Sequence, residues 1–158
     1  MIILAIDPGV ERLGVAILTK NDASIACVMS DTIVTAKELT QSERVGIIFT
    51  KLKEICQKQR PNQIVLERLF FAKNVKTAII VAQVQGIIHL LGYQMSIGVA
   101  EIAPNAIKSA VTGYGNADKK AIKKMIDLQV ILPKKKRLDD EYDAIACGYA
   151  FLLAYRSF

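Results

Sequence analysis

Four acidic residues in three separate segments of the sequence could do chemistry together. Asp7 interrupts an apolar run in LAIDPGVERLGVAIL near the N-terminus, and Glu67 closes the short apolar run QIVLE. Asp140 and Asp143 stand three residues apart in LDDEYDAIA, so they would share one face of a helix. Carboxylates gathered at the end of a sheet repel one another unless a cation neutralises them. The pattern therefore predicts a site for a hard divalent cation.

Each acidic segment also has a purely structural explanation. Asp-Pro-Gly is typical of a turn, in which Pro fixes φ and Gly accepts a positive φ. Acidic residues in the first turn of a helix complement the helix dipole. Asp139 lies four residues before Asp143 and would also share its face. The residues alone leave open whether Asp139 or Asp140 pairs with Asp143.

The charge balance indicates which substrate such a site would serve. The chain has 21 Lys and Arg against 15 Asp and Glu, a net charge of +6 that favours a polyanionic partner. The basic residues cluster at 73–76, 119–124 and 134–137. A solvated surface is the alternative explanation of each cluster, and it explains all three together less well. Oxygen ligands without Cys or His suit Mg²⁺, with Mn²⁺ able to substitute. The combination indicates phosphodiester hydrolysis, with one ion activating water and a second stabilising the leaving oxygen.

The apolar patterning predicts one α/β domain over residues 1–158, with a mixed five-stranded sheet flanked by helices. Strands at 2–6, 13–19 and 24–34 form an antiparallel meander, and parallel strands at 64–66 and 95–102 complete the sheet. The predicted helices run from the Thr40/Glu43 capping box to Pro61, from about Asn74 to Gly92, from Pro104 to Gly113, from Asn116 or Asp118 onwards, and from Asp139 to about Tyr155.

The predicted helix at 74–92 is apolar on nearly all sides. Residues 77–100 contain no Asp, Glu, Lys or Arg, but interspersed glutamines, a histidine and a Gly-Tyr break argue against a membrane span. Such a helix must be covered on two sides, by the sheet and by a second copy of the chain. Small residues one turn apart would allow close approach: Ala78, Ala82 and Gly86. We therefore expect a homodimer.

The cysteines and the N-terminus indicate the compartment. Cys27, Cys56 and Cys147 are odd in number and lack metal-binding spacing, so they are expected to be core residues in a reducing environment. No basic stretch precedes the first apolar residues, as a secretory signal would require. We expect a cytoplasmic protein.

The motifs in combination resemble the RuvC family of bacterial Holliday-junction resolvases, within the RNase H-like nuclease superfamily. The resemblance covers the whole chain and rests on IDPG (6–9), LERLFFAKN (66–74), GYGNADKK (113–120) and D-x-x-D-A-I-A from Asp140. It implies an RNase H-like fold in which two metal ions are held by Asp7, Glu67, Asp140 and Asp143. It further implies that Lys108 and Lys119 assist at the scissile phosphate. Because the resemblance pairs Asp140 with Asp143, it leaves Asp139 as the capping residue of the last helix.

The resemblance also implies a substrate and partners. A homodimer would place paired nicks in opposing strands of a four-way DNA junction. A branch-migration motor is a further partner that the resemblance implies. Phe70 matches a family aromatic that stacks at the junction centre, and stacking is worth about 1 to 3 kcal/mol per base. The candidate DNA contacts are Phe70, Lys73, Asn74, Lys76, Lys119, Lys120 and Lys123. Two alternatives stay open: a related nuclease acting on structured RNA, and a non-enzymatic actin-like nucleotide-binding domain.

Overall fold

The computed structural model describes residues 1–69 and 75–154, without the side chains of Val75 and Lys76. Its strands are β1 (Ile2–Asp7), β2 (Arg12–Lys20), β3 (Ile25–Val34), β4 (Gln63–Glu67), β5 (Gly98–Ile102) and β6 (Val130–Ile131). Its helices are α1 (Gln41–Gln59), α2 (Val75–Met95), α3 (Pro104–Thr112), α4 (Lys119–Gln129) and α5 (Asp139–Ala154). The strand order is β5-β4-β1-β2-β3-β6. The predicted α/β class with a mixed sheet is confirmed.

The sheet differs from the predicted one at two places. A sixth strand, β6, pairs in parallel with the start of β3 through only two residues, too few for an apolar pattern to reveal. The last parallel strand is also shorter than predicted, because α2 continues to Met95. The chain then turns through Ser96, whose φ of 55° lies in the left-handed region, before β5 begins at Gly98.

The helices cover the two faces of the sheet in separate layers. Alternating strand residues pack to opposite sides, as the period of two in a strand requires. Ile3 and Ala5 join the core beneath α3, α4 and α5, whereas Leu4 and Ile6 join the core beneath α1 and α2. The buried strands are apolar on both sides, which explains their continuous apolar sequences.

This alternation places the two strand acids side by side. Asp7 follows Ile3 and Ala5 in phase, and Glu67 follows Val65, so both belong to the face covered by α5. β1 and β4 are parallel neighbours in which Ile6 is opposite Leu66. The next residue of each strand is its acid, at the carboxyl edge of the sheet.

A glycine lets the start of α5 approach that edge. Gly14 is paired with Asp7 across the antiparallel ladder, and a Cβ at Gly14 would overlap the main-chain carbonyl oxygen of Asp140. Further along α5, a Cβ at Gly148 would lie 2.8 Å from the Cβ of Ala5. The helix can therefore rest directly on β1 and β2, which brings its first turn over the end of β1.

Candidate active site

Asp7 is the most strongly perturbed acid at the carboxyl edge of the sheet. Burial is the main cause of a rise in its pKa from 3.8 to about 7. Three neighbouring carboxylates add to that rise, in decreasing order Asp143, Glu67 and Asp140. The positive charge of Lys119 opposes it. Four acids from β1, β4 and α5 therefore act on one another here, as the sequence predicted for these residues.

The backbone of Glu67 accepts a hydrogen bond from a polar residue of α2. Gln85 is only 8% exposed, and its side-chain amide donates a 2.9 Å hydrogen bond to the main-chain oxygen of Glu67. Burial, followed by the charge of Asp143, raises the pKa of Glu67, and Lys108 and Lys119 partly offset the rise. The acid at the end of β4 is thus fixed by the sheet on one side and by α2 on the other.

The first turn of α5 carries the two remaining acids. Asp140 and Asp143 are partly buried, whereas Asp139 is exposed. Asp139 is the first residue of the helix and not its cap, so the predicted capping role is wrong. Glu141 serves the cap position instead, because its Oε1 accepts a 3.1 Å hydrogen bond from the backbone N–H of Leu138.

Two basic side chains contact the acids of α5. The guanidinium of Arg12 forms an ion pair with Asp140, and the ammonium of Lys119 donates a 2.8 Å hydrogen bond to Oδ2 of Asp143. That hydrogen bond is the main cause of a raised pKa for Lys119. Each partly buried carboxylate of α5 is therefore matched by a protein cation.

The donor set fits a hard divalent ion by its chemistry. All four candidate ligands are carboxylates, and Oδ2 of Asp140 is buried without a hydrogen bond, although it contacts the charge of Arg12. Within residues 1–69 and 75–154, however, no three acidic, His or Cys side chains converge closely enough to hold a metal as they stand. The ion pairs to Arg12 and Lys119 give a physical reason, since each draws a carboxylate to a protein cation.

A cleft of about 380 Å³ opens beside these acids. Its lining includes Glu67 and Asp143 together with two predicted phosphate-assisting residues, Lys108 of α3 and Lys119 of α4. α4 starts here because the Asp118 side chain caps it, accepting a 2.8 Å hydrogen bond from the backbone N–H of Ala121. The cleft therefore brings anionic and cationic side chains together, as hydrolysis of a phosphodiester requires.

The basic segment at 134–137 is partly committed to the fold. Lys135 pairs with the buried Glu141 at 2.6 Å and donates to the main-chain oxygen of Ser30. Arg137 donates to the hydroxyl of Ser30 and to the main-chain oxygen of Pro133. Burial raises the pKa of Glu141, but hydrogen bonds from Lys135 and Ser30 outweigh it, so the net pKa is lowered. The network ties the segment to β3 and to the start of α5.

The predicted DNA contacts are only partly within the described residues. Phe70, Lys73 and Asn74 lie outside them, as does the side chain of Lys76. Lys120 is exposed at the start of α4. Lys123 is exposed as well, with its ammonium 4.8 Å from the ring centre of Tyr142. α4 therefore presents basic residues next to the cleft.

Three residues at the site escaped the sequence analysis. Arg12 is in phase with Gly14 on β2 and so belongs to the face of α5, which a strand period of two could have indicated. Gln85 could have been noticed because it is a glutamine within an apolar helix. Glu141 could have been noticed because it is the third residue of α5, the position at which a Glu side chain accepts a hydrogen bond from the backbone of the cap residue.

The solved structure of T. thermophilus RuvC in complex with Holliday junction substrate is similar to this chain, with a TM-score of 0.91. The match covers 98% of this chain and 94% of that one at 24% identity. This similarity establishes the fold, which is RNase H-like.

Sequence comparison establishes the family. The profile of crossover junction endodeoxyribonuclease RuvC matches residues 3–150. RuvC of Thermosipho melanesiensis is 36% identical over 156 residues, covering 99% of both chains. RuvC of Carboxydothermus hydrogenoformans is 39% identical over 153 residues, covering 97% of this chain and 96% of the relative. The chain belongs to the RuvC family.

Proposed function

We propose that this protein is a crossover junction endodeoxyribonuclease that resolves four-way DNA junctions by metal-dependent hydrolysis. The observation that carries the proposal is the meeting of Asp7, Glu67, Asp140 and Asp143 beside a cleft that also contains Lys108 and Lys119. Membership of the RuvC family supports the choice of substrate over structured RNA or a nucleotide.

Different residues at the cleft would bind the metal ions, bind the phosphate and position the metal ligands. The four carboxylates would hold Mg²⁺, and the bound ions would supply an activated water and charge stabilisation at the leaving oxygen. Lys108 and Lys119 face the same cleft, where their ammonium groups bind the phosphate and offset its developing negative charge. Gln85 and the ladder between β1 and β4 keep Glu67 beside Asp7.

A cleavage assay with three substrates tests this function. We expect the protein with Mg²⁺ to cut a mobile four-way DNA junction, leaving linear duplex DNA and an RNA stem intact. Equal cutting of the duplex would contradict junction selectivity, and preferential cutting of the RNA stem would favour the alternative nuclease. Addition of EDTA provides the control, since chelation of the metal should stop cleavage.

The outer face of α2 supports a homodimer. Exposed residues recur at helical spacing along it: Ile79, Ala82, Gly86, Leu90 and Tyr93. A Cβ at Gly86 would meet no atom within 4 Å, so the face is open to close approach. Ala78, which we expected to contribute, is buried against the rest of the chain. Ala82 and Gly86 are therefore the small residues that remain for contact with a second copy.

The same helix passes a length and composition test for a membrane span. Thr77–Met95 is the one segment among the described residues to do so, with 33% of its window buried. Core helices of soluble proteins pass the test too. Three glutamines and a histidine interrupt the segment, and Gln85 donates a hydrogen bond to Glu67. A protein partner suits this mixed surface better than lipid.

We expect light scattering to return twice the 17.4 kDa mass of the chain. Leu90→Glu should shift the protein towards the monomer, because it places two like charges in an apolar contact. Leu128→Glu is the matched control, since Leu128 is an exposed leucine on α4. A monomeric wild type at micromolar concentration, or equal effects of the two substitutions, would contradict the proposed face.

We place the protein in the cytoplasm, and this assignment is part of the proposal. Cys27, Cys56 and Cys147 are all buried and free, which suits a reducing compartment. Association with a branch-migration motor stays an expectation of the family resemblance.

A further inference from the structure

Arg12 contacts an acid of the candidate active site from an unexpected direction. Arg12 is the first residue of β2. It lies two residues before Gly14 and therefore belongs to the same sheet face, on which α5 packs. Its guanidinium forms an ion pair with Asp140, and the side chain of Arg12 remains 48% exposed. A protein cation therefore lies on one of the four carboxylates proposed to bind metal.

The neighbouring residue of α5 shows what a structural ion pair looks like in this protein. Glu141 is 5% exposed, pairs with Lys135, and also accepts hydrogen bonds from Ser30 and the backbone of Leu138. Its partners satisfy both carboxylate oxygens.

The pair at Asp140 lacks these features. Oδ2 of Asp140 is buried, and its one partner among the described residues is the guanidinium of Arg12, with no backbone N–H or hydroxyl donor of the kind that also holds Glu141. A half-exposed guanidinium can also leave for solvent at little desolvation cost, because water already contacts it. The pair therefore has the properties of an exchangeable contact.

The surroundings explain why a removable cation is useful at this position. Asp7, Glu67 and Asp143 add negative charge close to Asp140. Lys119 offsets part of that charge, but its hydrogen bond goes to Asp143, so Arg12 is the cation that contacts Asp140 itself. Without a positive charge, the start of α5 would be repelled from the end of β1. A guanidinium on Asp140 reduces this repulsion and occupies an oxygen that a divalent ion would need.

We propose that Arg12 is a positioning residue that competes with the divalent ion for Asp140. The guanidinium holds the carboxylate near the other acids, and the ion displaces it on binding. This role rests on the proposed function, because it takes Asp140 as a metal ligand. Arg12 thereby sets the metal concentration at which the site fills.

Direct measurement of Mn²⁺ binding tests the competition without relying on cleavage. Dissociation constants for Mn²⁺ alone would be measured by titration calorimetry and by electron paramagnetic resonance for the wild type, Arg12→Gln and Arg12→Lys. Lys37→Gln is the matched control, because Lys37 follows the same end of the sheet and pairs with Glu11 at 3.7 Å. It removes the same unit charge without contacting Asp140.

We expect Arg12→Gln to bind Mn²⁺ about three- to tenfold more tightly than the wild type, a range consistent with the loss of one partly exposed ion pair. Arg12→Lys should fall between them, and Lys37→Gln should stay within about twofold of the wild type. The rise in melting temperature on adding saturating Mn²⁺ should be larger for Arg12→Gln than for the wild type.

Unchanged or weaker Mn²⁺ binding by a folded Arg12→Gln would overturn the proposed competition. Equal tightening by Lys37→Gln would also overturn it, since the effect would then be one of net charge. If neither the wild type nor Arg12→Gln binds Mn²⁺, the proposed metal site fails instead, so the two failures are distinguishable.

Discussion

Replacing Asp7 with Asn should abolish junction cleavage and at the same time stabilise the metal-free protein. The substitution preserves size but removes a charged oxygen ligand, so we expect the cleavage rate to fall by roughly a thousandfold or more. The ionised carboxylate is unfavourable in the fold, because burial and three nearby acids raise its pKa to about 7. Each pKa unit is worth about 1.4 kcal/mol, so Asn should raise the free energy of unfolding by about 2 to 4 kcal/mol above pH 7.

The pH dependence of this stabilisation follows from the sign of the shift. Asp7 has a higher pKa in the folded state than its ordinary value of 3.8, so the folded state holds the proton more tightly. Wild-type stability therefore falls relative to Asp7→Asn as the pH rises from about 4 to about 7, and the difference then stays constant. Below about pH 4 this contribution disappears.

Denaturant unfolding in EDTA across this pH range, together with single-turnover cleavage in Mg²⁺, measures both effects. Asp22→Asn is the matched control, because Asp22 is exposed in the turn between β2 and β3. Near-normal turnover by Asp7→Asn would contradict its assignment as a ligand. A constant stability difference at all pH values would contradict the burial argument.

Asp140→Asn and Asp139→Asn should differ sharply in cleavage although the residues are adjacent. Asp140 is partly buried, raises the pKa of Asp7 and pairs with Arg12, so we expect its loss to reduce the rate by roughly a hundredfold or more. Asp139 is exposed at the first position of α5. Its loss should change the rate by less than about threefold and cost only about 0.3 to 1 kcal/mol through the helix dipole.

The two variants serve as controls for each other, because both remove one carboxylate charge from the same helical turn. Single-turnover cleavage of a four-way junction in Mg²⁺ and thermal unfolding would be measured side by side. If Asp139→Asn does not cleave and Asp140→Asn cleaves at the wild-type rate, the metal ligand is Asp139 and not Asp140. Similar losses in both would indicate that the charge of the turn, and no individual ligand, matters.

The sequence predicted the acids well because local signals determine their positions. Asp7 and Glu67 each close a strand, and strand period and parallel pairing then bring them together. Helical spacing pairs Asp143 with either Asp139 or Asp140, and the family resemblance favoured Asp140.

Contacts between distant segments were not predictable in the same way. The pairing of Arg12 with Asp140 joins residues far apart in sequence, and it depends on how α5 rests on Gly14. The bond from Gln85 to Glu67 likewise requires knowing which face of α2 meets the sheet. The two-residue β6 is too short to show an apolar pattern. It directly follows α4 and pairs with the start of β3.

The ion pair between Lys135 and Glu141 has a consequence for how DNA binding depends on salt. A basic residue that neutralises a DNA phosphate releases a condensed counterion, and each such contact contributes about −0.9 to the slope of log affinity against log salt concentration. The ammonium of Lys135 is already neutralised by Glu141 and also donates to Ser30, so in the folded protein it is not free to neutralise a phosphate in this way. The junction affinity of this chain should consequently fall less steeply with ionic strength than its count of basic residues suggests.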